Sequence, residues 1–456
     1  MDSESTAGYL QAKSIFSINE TPEDLILVPW VCPDKYRNEA LVSDVETDSN
    51  VTPIYVDDKL LEALKVAKRE FGAPEFRSAR DAVYGFSKLG SSIFSSRSAL
   101  HLAAVDYALH VTGKWSSFEM YDDIAYGVVD LCAAPGSWTE YVYYRHPRAT
   151  GVGISLISDN PEVPKWSEKL AVTPGTFTKW TKGQGDLYTQ WDKFEAPLSD
   201  LVMFDAGFPE SKDKPAEEQV ETQEYRYSRL WTAAVCVSLR TSKPGANAVF
   251  KVFDLFSEYS AQLLYLMSWC WKEIVLYKPP TSRPLNAEVC IVCRGFKGSG
   301  TAQQLINSAM IKFTDSQNAV KIFSNHLPSD FVDWLKSRND ALVKGQIDAS
   351  TTVLHYMYNL EVDVPIIDPV QVFIKWHLPG SVPSRGSSIR LEQPRTPRLK
   401  DGTTTRDSRT SSSRSSRTSS SRDSRTSISR DSRTSSSRDS KAPPNTRMEA
   451  SGYRLK

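Results

Sequence analysis

The sequence predicts an α/β fold built on a mostly parallel, doubly wound sheet with helices on both faces, and three observations carry this expectation. From about residue 75 to 300, apolar runs of strand length alternate with stretches long enough for helices. The run Val128–Leu131 passes through a small-residue turn, Cys132-Ala-Ala-Pro-Gly136, directly into a helical stretch. The last two strand candidates are joined by a Pro-rich loop too short to contain a helix. Strands separated by helices pair in parallel. A pair without a crossover must be antiparallel, which predicts an antiparallel strand at the sheet edge.

In chain order, residues 1–74 alternate short apolar runs (Val28-Pro-Trp30, Thr52-Pro-Ile54) with Pro, Asp and Asn, and read as a partly ordered N-terminal extension. Residues 75–300 form the α/β domain. Strands are expected at Gly127–Leu131, Gly151–Leu156, Leu201–Phe204, Ala248–Phe253, Glu273–Tyr277 and Val289–Arg294, and helices at Ser98–Thr112, Ser137–Arg145, Glu218–Thr241 and Tyr259–Trp271. Residues 301–383 read as a helical extension of that domain, closing on Phe373-Ile-Lys-Trp-His-Leu-Pro379. From 384 to 456 large apolar residues almost vanish, and an eight-residue Arg/Ser unit repeats over Asp407–Arg414, Ser415–Arg422, Asp423–Arg430 and Asp431–Arg438. Such a segment buries too little apolar area to offset its conformational entropy, so a disordered tail is expected.

The zero formal net charge conceals an asymmetry: residues 385–456 hold 18 Lys/Arg against 7 Asp/Glu, which leaves the rest of the chain equally acidic. A basic tail of this kind suits RNA binding, or a phosphorylation switch in which each phosphate cancels one or two positive charges. The bland alternative is a solubilising tail. Six scattered cysteines in mostly apolar runs fit reduced core thiols in a cytosolic or nuclear protein. The Cys290-Ile-Val-Cys293 spacing lies in a strand, where residues three apart face opposite ways, so no zinc or other metal site is expected. The N-terminus lacks a signal-peptide pattern, and no apolar run reaches the ~18 residues of a membrane span.

The sharpest chemical signal is Val128-Val-Asp-Leu-Cys-Ala-Ala-Pro-Gly-Ser-Trp-Thr-Glu-Tyr141. Small residues let backbone approach a ligand, helix N-terminal amides can meet its polar groups, and a strand-end carboxylate such as Asp130 can bind a ribose hydroxyl or an ammonium. The phosphate-binding and dinucleotide glycine patterns are both absent.

Asp130-Leu-Cys-Ala-Ala-Pro-Gly-Ser-Trp138 resembles the cofactor motif of the FtsJ/RrmJ-type RNA 2'-O-methyltransferases. Phe250-Lys-Val-Phe-Asp-Leu-Phe256 and Lys278-Pro-Pro-Thr-Ser-Arg-Pro-Leu-Asn-Ala-Glu288 are similar to one branch, the cap-specific mRNA (nucleoside-2'-O-)methyltransferases. Gly183-Gln-Gly-Asp186, Asp205-Ala-Gly-Phe208 and Lys375-Trp-His-Leu-Pro379 resemble that branch too, in consistent order over about residues 75–382. The resemblance implies a Rossmann-like domain binding S-adenosyl-L-methionine, with capped mRNA as substrate and no metal. It places the methionine and ribose portions of the cofactor at Asp130, Ala133, Ala134, Pro135, Gly136, Ser137, Trp138 and Asp205, and the adenine amino group at Asp186. Gly151–Leu156 lacks the acidic residue many methyltransferases carry after the second strand.

The family's Lys-Asp-Lys-Glu tetrad maps onto Asp205, Lys251 and Glu288, with His101 where the first lysine is expected. A ribose hydroxyl must lose its proton as it attacks the methyl, and a lysine serves as base only if its pKa falls. The expectation is therefore an active enzyme with an alkaline optimum, with Lys88 as another source of the missing charge. Ser282, Arg283, Asn286 and Lys88 are candidates for RNA contacts. Tyr84 and Phe86 are candidates for stacking on the cap base, core packing being their alternative use. Two other readings remain open: 2'-O-methylation of uncapped structural RNA, and a catalytically silent cap- or RNA-binding module. The implied place of action is the nucleus or cytoplasm of a eukaryotic cell, for a cellular or a viral enzyme.

Overall fold

The computed structural model describes residues 28–34, 46–48, 54–68, 74–113, 125–207, 216–315, 319–323, 326–358, 360, 362 and 367–378. All of them fall in the unit Met1–Arg390; the second unit, Leu391–Lys456, lies outside the described residues, and so do the Arg/Ser repeats.

Seven strands form one sheet: β2 (Tyr126–Leu131), β3 (Ala149–Ile154), β4 (Phe177–Trp180), β5 (Ser199–Phe204), β6 (Ser242–Phe253), β7 (Trp271–Tyr277) and β8 (Glu288–Phe296). Their order is β4-β3-β2-β5-β6-β8-β7. The first five run parallel, while β8 is antiparallel to both β6 and β7. The short Pro-rich connection thus does what its length requires, and the final strand slots inside the one before it. β4 was not among the expected strands. Its four residues, Phe-Thr-Lys-Trp, expose their two central side chains at the sheet edge and present no apolar run.

Side-chain alternation explains the layers. Val128, Leu201, Met203, Val249, Val275 and Val292 face one core with α3 (Ser98–Leu109), α4 (Ser137–Arg145) and α10 (Pro369–Lys375). Val129, Leu131, Val202, Phe204, Phe250 and Ile291 face the other with α6 (Ala216–Thr241), α7 (Glu258–Cys270) and α8 (Ala302–Asp315). Cys290 belongs to the first core and Cys293 to the second, so the sheet separates the two thiols. Helix α3 stops at Leu109, three residues before the expected end, because His110 adopts a left-handed conformation (φ 52°) and its N–H caps Asp106 O.

The N-terminal region is docked where it is described. Trp30 exchanges backbone hydrogen bonds with Ile274 of β7 (2.8 and 2.9 Å), covering part of the exposed sheet edge. β1 (Glu46–Asp48) pairs with β9 (Ala319–Lys321). Leu61 and Leu64 of α1 (Asp58–Lys68) pack on Val343 and Ile347 of α9 (Ser329–Met357), and Phe76 of α2 (Pro74–Val83) shares a cluster with Leu285 and Val353. A short helix, α5 (Leu187–Gln190), follows β4 and the turn Lys182–Gly185 in the chain. Among the described residues no helix is long and apolar enough to cross a membrane.

Candidate active site

The carboxyl ends of the parallel strands, together with the start of antiparallel β8, meet at one rim, where open α/β sheets place ligands. Phe204 of β5 pairs with Phe250 of β6, so Asp205 emerges level with Lys251. Lys251 pairs with Cys290 of β8, and Glu288 lies two residues away on the same face. Helix α3 packs over this face. Its Ser98 and His101, three residues apart and hence neighbours on the helix surface, each reach one carboxylate. The Ser98 hydroxyl donates to Asp205 Oδ2, and His101 Nδ1 lies 3.3 Å from Glu288 Oε1. Lys251 Nζ completes the cluster as the ion partner of Asp205 Oδ1. The structure therefore brings His101, Asp205, Lys251 and Glu288 together. It adds Ser98, which the sequence reading missed although its spacing from His101 was visible. The Tyr227 hydroxyl donates to the carbonyls of Lys251 and Ala206, holding the backbone on both sides of the pair.

The electrostatics run against a simple general base. Burial alone would push the Lys251 amine down, but Asp205 and Glu288 outweigh it and hold the ammonium above the ordinary lysine range. Burial would raise the Glu288 carboxyl, yet Lys251 and His101 hold it well below the usual carboxylate range. His101 thus acts on Glu288, and reaches Lys251 only through that carboxylate. Lys88 ends a short 3-10 turn, Gly85–Lys88, and its side chain lies outside the described residues.

On the other side of Asp205, Asp130 is fully buried at the end of β2, accepts a hydrogen bond from Thr139 Oγ1 (2.6 Å), and leaves Oδ1 without a partner among the described residues. Burial, aided by the Asp205 charge, pushes its carboxyl up to about 7. The turn beyond it is tightly held: Ala133 N donates to Ile154 O (3.1 Å), Ala134 N to Ser155 Oγ (3.2 Å), and Pro135 O accepts from Ser167 N (2.9 Å). Gly136 sits at φ 108°, where a Cβ would lie 2.3 Å from Leu170 Cδ1. The amides of Ala133 and Ala134 are already engaged by protein, and the side chains of Ser137 and Trp138 are turned inward. Ser137 Oγ meets Ser96 Oγ (2.6 Å) and Trp138 Nε1 donates to Ser98 O (2.9 Å), so both brace the turn against α3. Asp186 caps α5 through Tyr188 N (3.0 Å). The preceding Gly185 (φ 63°) lies against the end of β3, where a Cβ would be 2.0 Å from Ser155 O. In place of an acid after β3, Leu156 and Ile157 present exposed apolar surface.

The loop from β7 to β8 carries the expected RNA-contacting residues with unequal access. Arg283 is exposed. Ser282 is buried: its hydroxyl donates to Asn286 Oδ1 (3.2 Å) and its carbonyl accepts from Tyr84 OH (2.8 Å). Asn286 is engaged by Lys278 Nζ at both its carbonyl (2.8 Å) and Oδ1 (2.9 Å). Ser282 therefore shapes the loop. Tyr84 and Phe86 are likewise buried, Phe86 stacked on Trp376 (6.2 Å between ring centroids), which assigns both to packing instead of cap stacking.

A parallel sheet with an antiparallel strand near its edge, a small-residue turn below a buried strand-end aspartate, and a half-buried lysine between two carboxylates define a methyltransferase-type α/β domain. Residues 94–296 match the FtsJ-like methyltransferase family. It is 26% identical over 381 residues to the cap-specific mRNA (nucleoside-2'-O-)-methyltransferase 1 of Drosophila melanogaster, covering 75% of this chain and 47% of that protein. It is 30% identical over 297 residues to cap-specific mRNA (nucleoside-2'-O-)-methyltransferase 1A of Caenorhabditis briggsae, covering 57% of this chain and 32% of the relative. A third relative, from the same nematode, is named inactive cap-specific mRNA (nucleoside-2'-O-)-methyltransferase 1B. It is 29% identical over 297 residues, covering 57% of this chain and 34% of the relative. The chain spans about half, or less, of the length of these relatives.

Proposed function

We propose that this chain transfers a methyl group from S-adenosyl-L-methionine to the ribose 2'-hydroxyl of a cap-proximal nucleotide of mRNA, with Lys251 as the proton acceptor. The observation that carries the reading is the half-buried Lys251 flanked by Asp205 and Glu288, each carboxylate held in turn by helix α3. The residues present fit the cofactor. Asp130 offers a buried oxygen, without a partner among the described residues, for a polar hydrogen. Asp186, tied to the end of β3, offers its carboxylate to the adenine amino group. When bound, the cofactor supplies an electrophilic methyl on a positively charged sulfur.

Asp205 and Glu288 orient the Lys251 amine, and in its neutral form that amine takes the 2'-hydroxyl proton as the oxygen attacks. Because both carboxylates favour the ammonium, the active form is the minority at neutral pH and the rate rises toward alkaline pH. Arg283 and the Asn286 segment serve the RNA backbone; the basic tail is a further RNA-binding or phosphorylated arm.

Methyl transfer to short RNAs with and without a 5' cap, followed by digestion to locate the methylated ribose, tests this reading. Transfer confined to capped RNA is expected. Equal transfer to uncapped RNA would instead support the structural-RNA reading. The silent-module reading draws on His101 at the expected lysine position and on the relative named as inactive. It predicts cap or RNA binding with no transfer at any pH.

A further inference from the structure

Lys278 closes β7 and begins the loop that returns to Glu288, and it has no part in the chemistry above. Its side chain is buried, and its ammonium nitrogen donates to Asn286 O (2.8 Å), Asn286 Oδ1 (2.9 Å) and Glu288 O (2.7 Å). An ammonium has three N–H donors, and all three are spent on one short stretch of chain. These bonds tie the first residue of the loop to its last turn. Inside that tie, Ser282 N donates to Pro279 O (2.9 Å), Asn286 N to Arg283 O (3.2 Å), and Ser282 Oγ to the same Asn286 Oδ1 that Lys278 holds (3.2 Å).

We infer that Lys278 is a positioning residue, a staple that sets the direction of the Glu288 carboxylate and the shape of the loop presenting Arg283 to RNA. A buried ammonium costs several kcal/mol, whereas a Met would fill the same space without that cost. A merely space-filling residue here need not be charged. Two of its acceptors bracket the residue before Glu288, so losing the tie frees the strand start that aims this carboxylate at His101. A cavity adjoins the amine, lined also by Asp254, Asn339 and Gln346, whose side-chain oxygens Asp254 Oδ2, Asn339 Oδ1 and Gln346 Oε1 have no partner among the described residues. Burial, only partly offset by Glu288 and Asp254, brings the Lys278 amine down to about 8.

The inference rests on the proposed function, and its test separates the two. Lys278→Ala and Lys278→Met are assayed with S-adenosylmethionine and a capped oligonucleotide, in the presence of ethylammonium or of tetramethylammonium, which has no N–H. Both variants are expected to lose roughly ten- to a hundredfold in kcat, with raised KM for RNA and unchanged affinity for S-adenosylmethionine. Ethylammonium should restore the Ala variant, which leaves room for it, and not the Met variant; tetramethylammonium should restore neither. Wild-type kcat and KM in either variant would overturn the staple, as would a folded Ala variant that no amine rescues. Should the Ala variant fail to bind S-adenosylmethionine, the Met variant decides. Normal turnover overturns the inference, and a tenfold loss with normal cofactor affinity upholds it. A wild type that transfers no methyl to capped RNA defeats the substrate reading instead; the staple is then read from RNA affinity, measured by fluorescence anisotropy with the same variants and amines.

Discussion

At the residue scale the proposed chemistry turns on how a half-buried lysine is made available as a base. Lys251 lies between Asp205 and Glu288, and their charges outweigh burial in setting its proton affinity. Lys278 and His101 both offset part of the Glu288 charge, and His101 lies 3.3 Å from that carboxylate. A lysine at that position would place a permanent positive charge on Glu288 and weaken the pull of this carboxylate on Lys251. The sign follows directly: the lysine pKa falls, and the rising limb of the rate moves to lower pH. His101→Lys is therefore expected to shift the pH–rate profile of methyl transfer toward acid, and an unmoved profile would break the proposed chain from His101 through Glu288 to Lys251. The motifs surrounding Asp205, Lys251 and Glu288 made these three legible in the sequence. Ser98 was not, because nothing in a Ser-Arg-Ser stretch shows that one hydroxyl will meet a carboxylate 107 residues away.

At the scale of elements, register explains most of what the sequence allowed. Apolar runs of strand length located β2, β3, β5, β6, β7 and β8, and the longer stretches between them located the helices, since each buries enough surface to leave a pattern. Edge strand β4 left none, because its central Thr178 and Lys179 face solvent. Burial of Ser282 was also invisible, because it looks like a surface contact in a Pro-rich segment until the loop folds back, whereas core packing of Tyr84 and Phe86 was open from their aromatic character. The segment Gly183–Asp186 makes a sharper case. Gly185 lies in the left-handed region with no room for a Cβ beside Ser155 O, and the next residue is Asp186. Gly185→Ala should displace Asp186 from the end of β3. The expected result is a KM for S-adenosylmethionine raised by about tenfold or more, an effect of the size of one lost hydrogen bond to a charged group, with KM for capped RNA unchanged. Equal cofactor affinity in the variant, by calorimetric titration, would remove Asp186 from the adenine contact.

At the scale of the whole molecule, the N-terminal region and α9 are packed around the rim that carries the site, and buried charge there makes stability depend on pH. Asp254 is buried with Oδ2 unpartnered among the described residues, and burial pushes its carboxyl up to about 7. A folded-state pKa above the unfolded value contributes stability below the unfolded value, and that contribution is lost as pH rises through the folded one. Between about pH 4 and 7 this one group thus withdraws on the order of 2–4 kcal/mol. Asp254→Asn, which cannot ionise, should melt above wild type at pH 8 and level with it near pH 4; a difference independent of pH would point to packing instead of charge. The central claim, that the domain transfers a methyl group with Lys251 as base, is tested most directly by comparing wild type with Lys251→Ala in single-turnover transfer to capped RNA. Cofactor affinity is measured alongside. The account predicts normal S-adenosylmethionine binding and loss of methyl transfer; transfer at the wild-type rate by the alanine variant would contradict it.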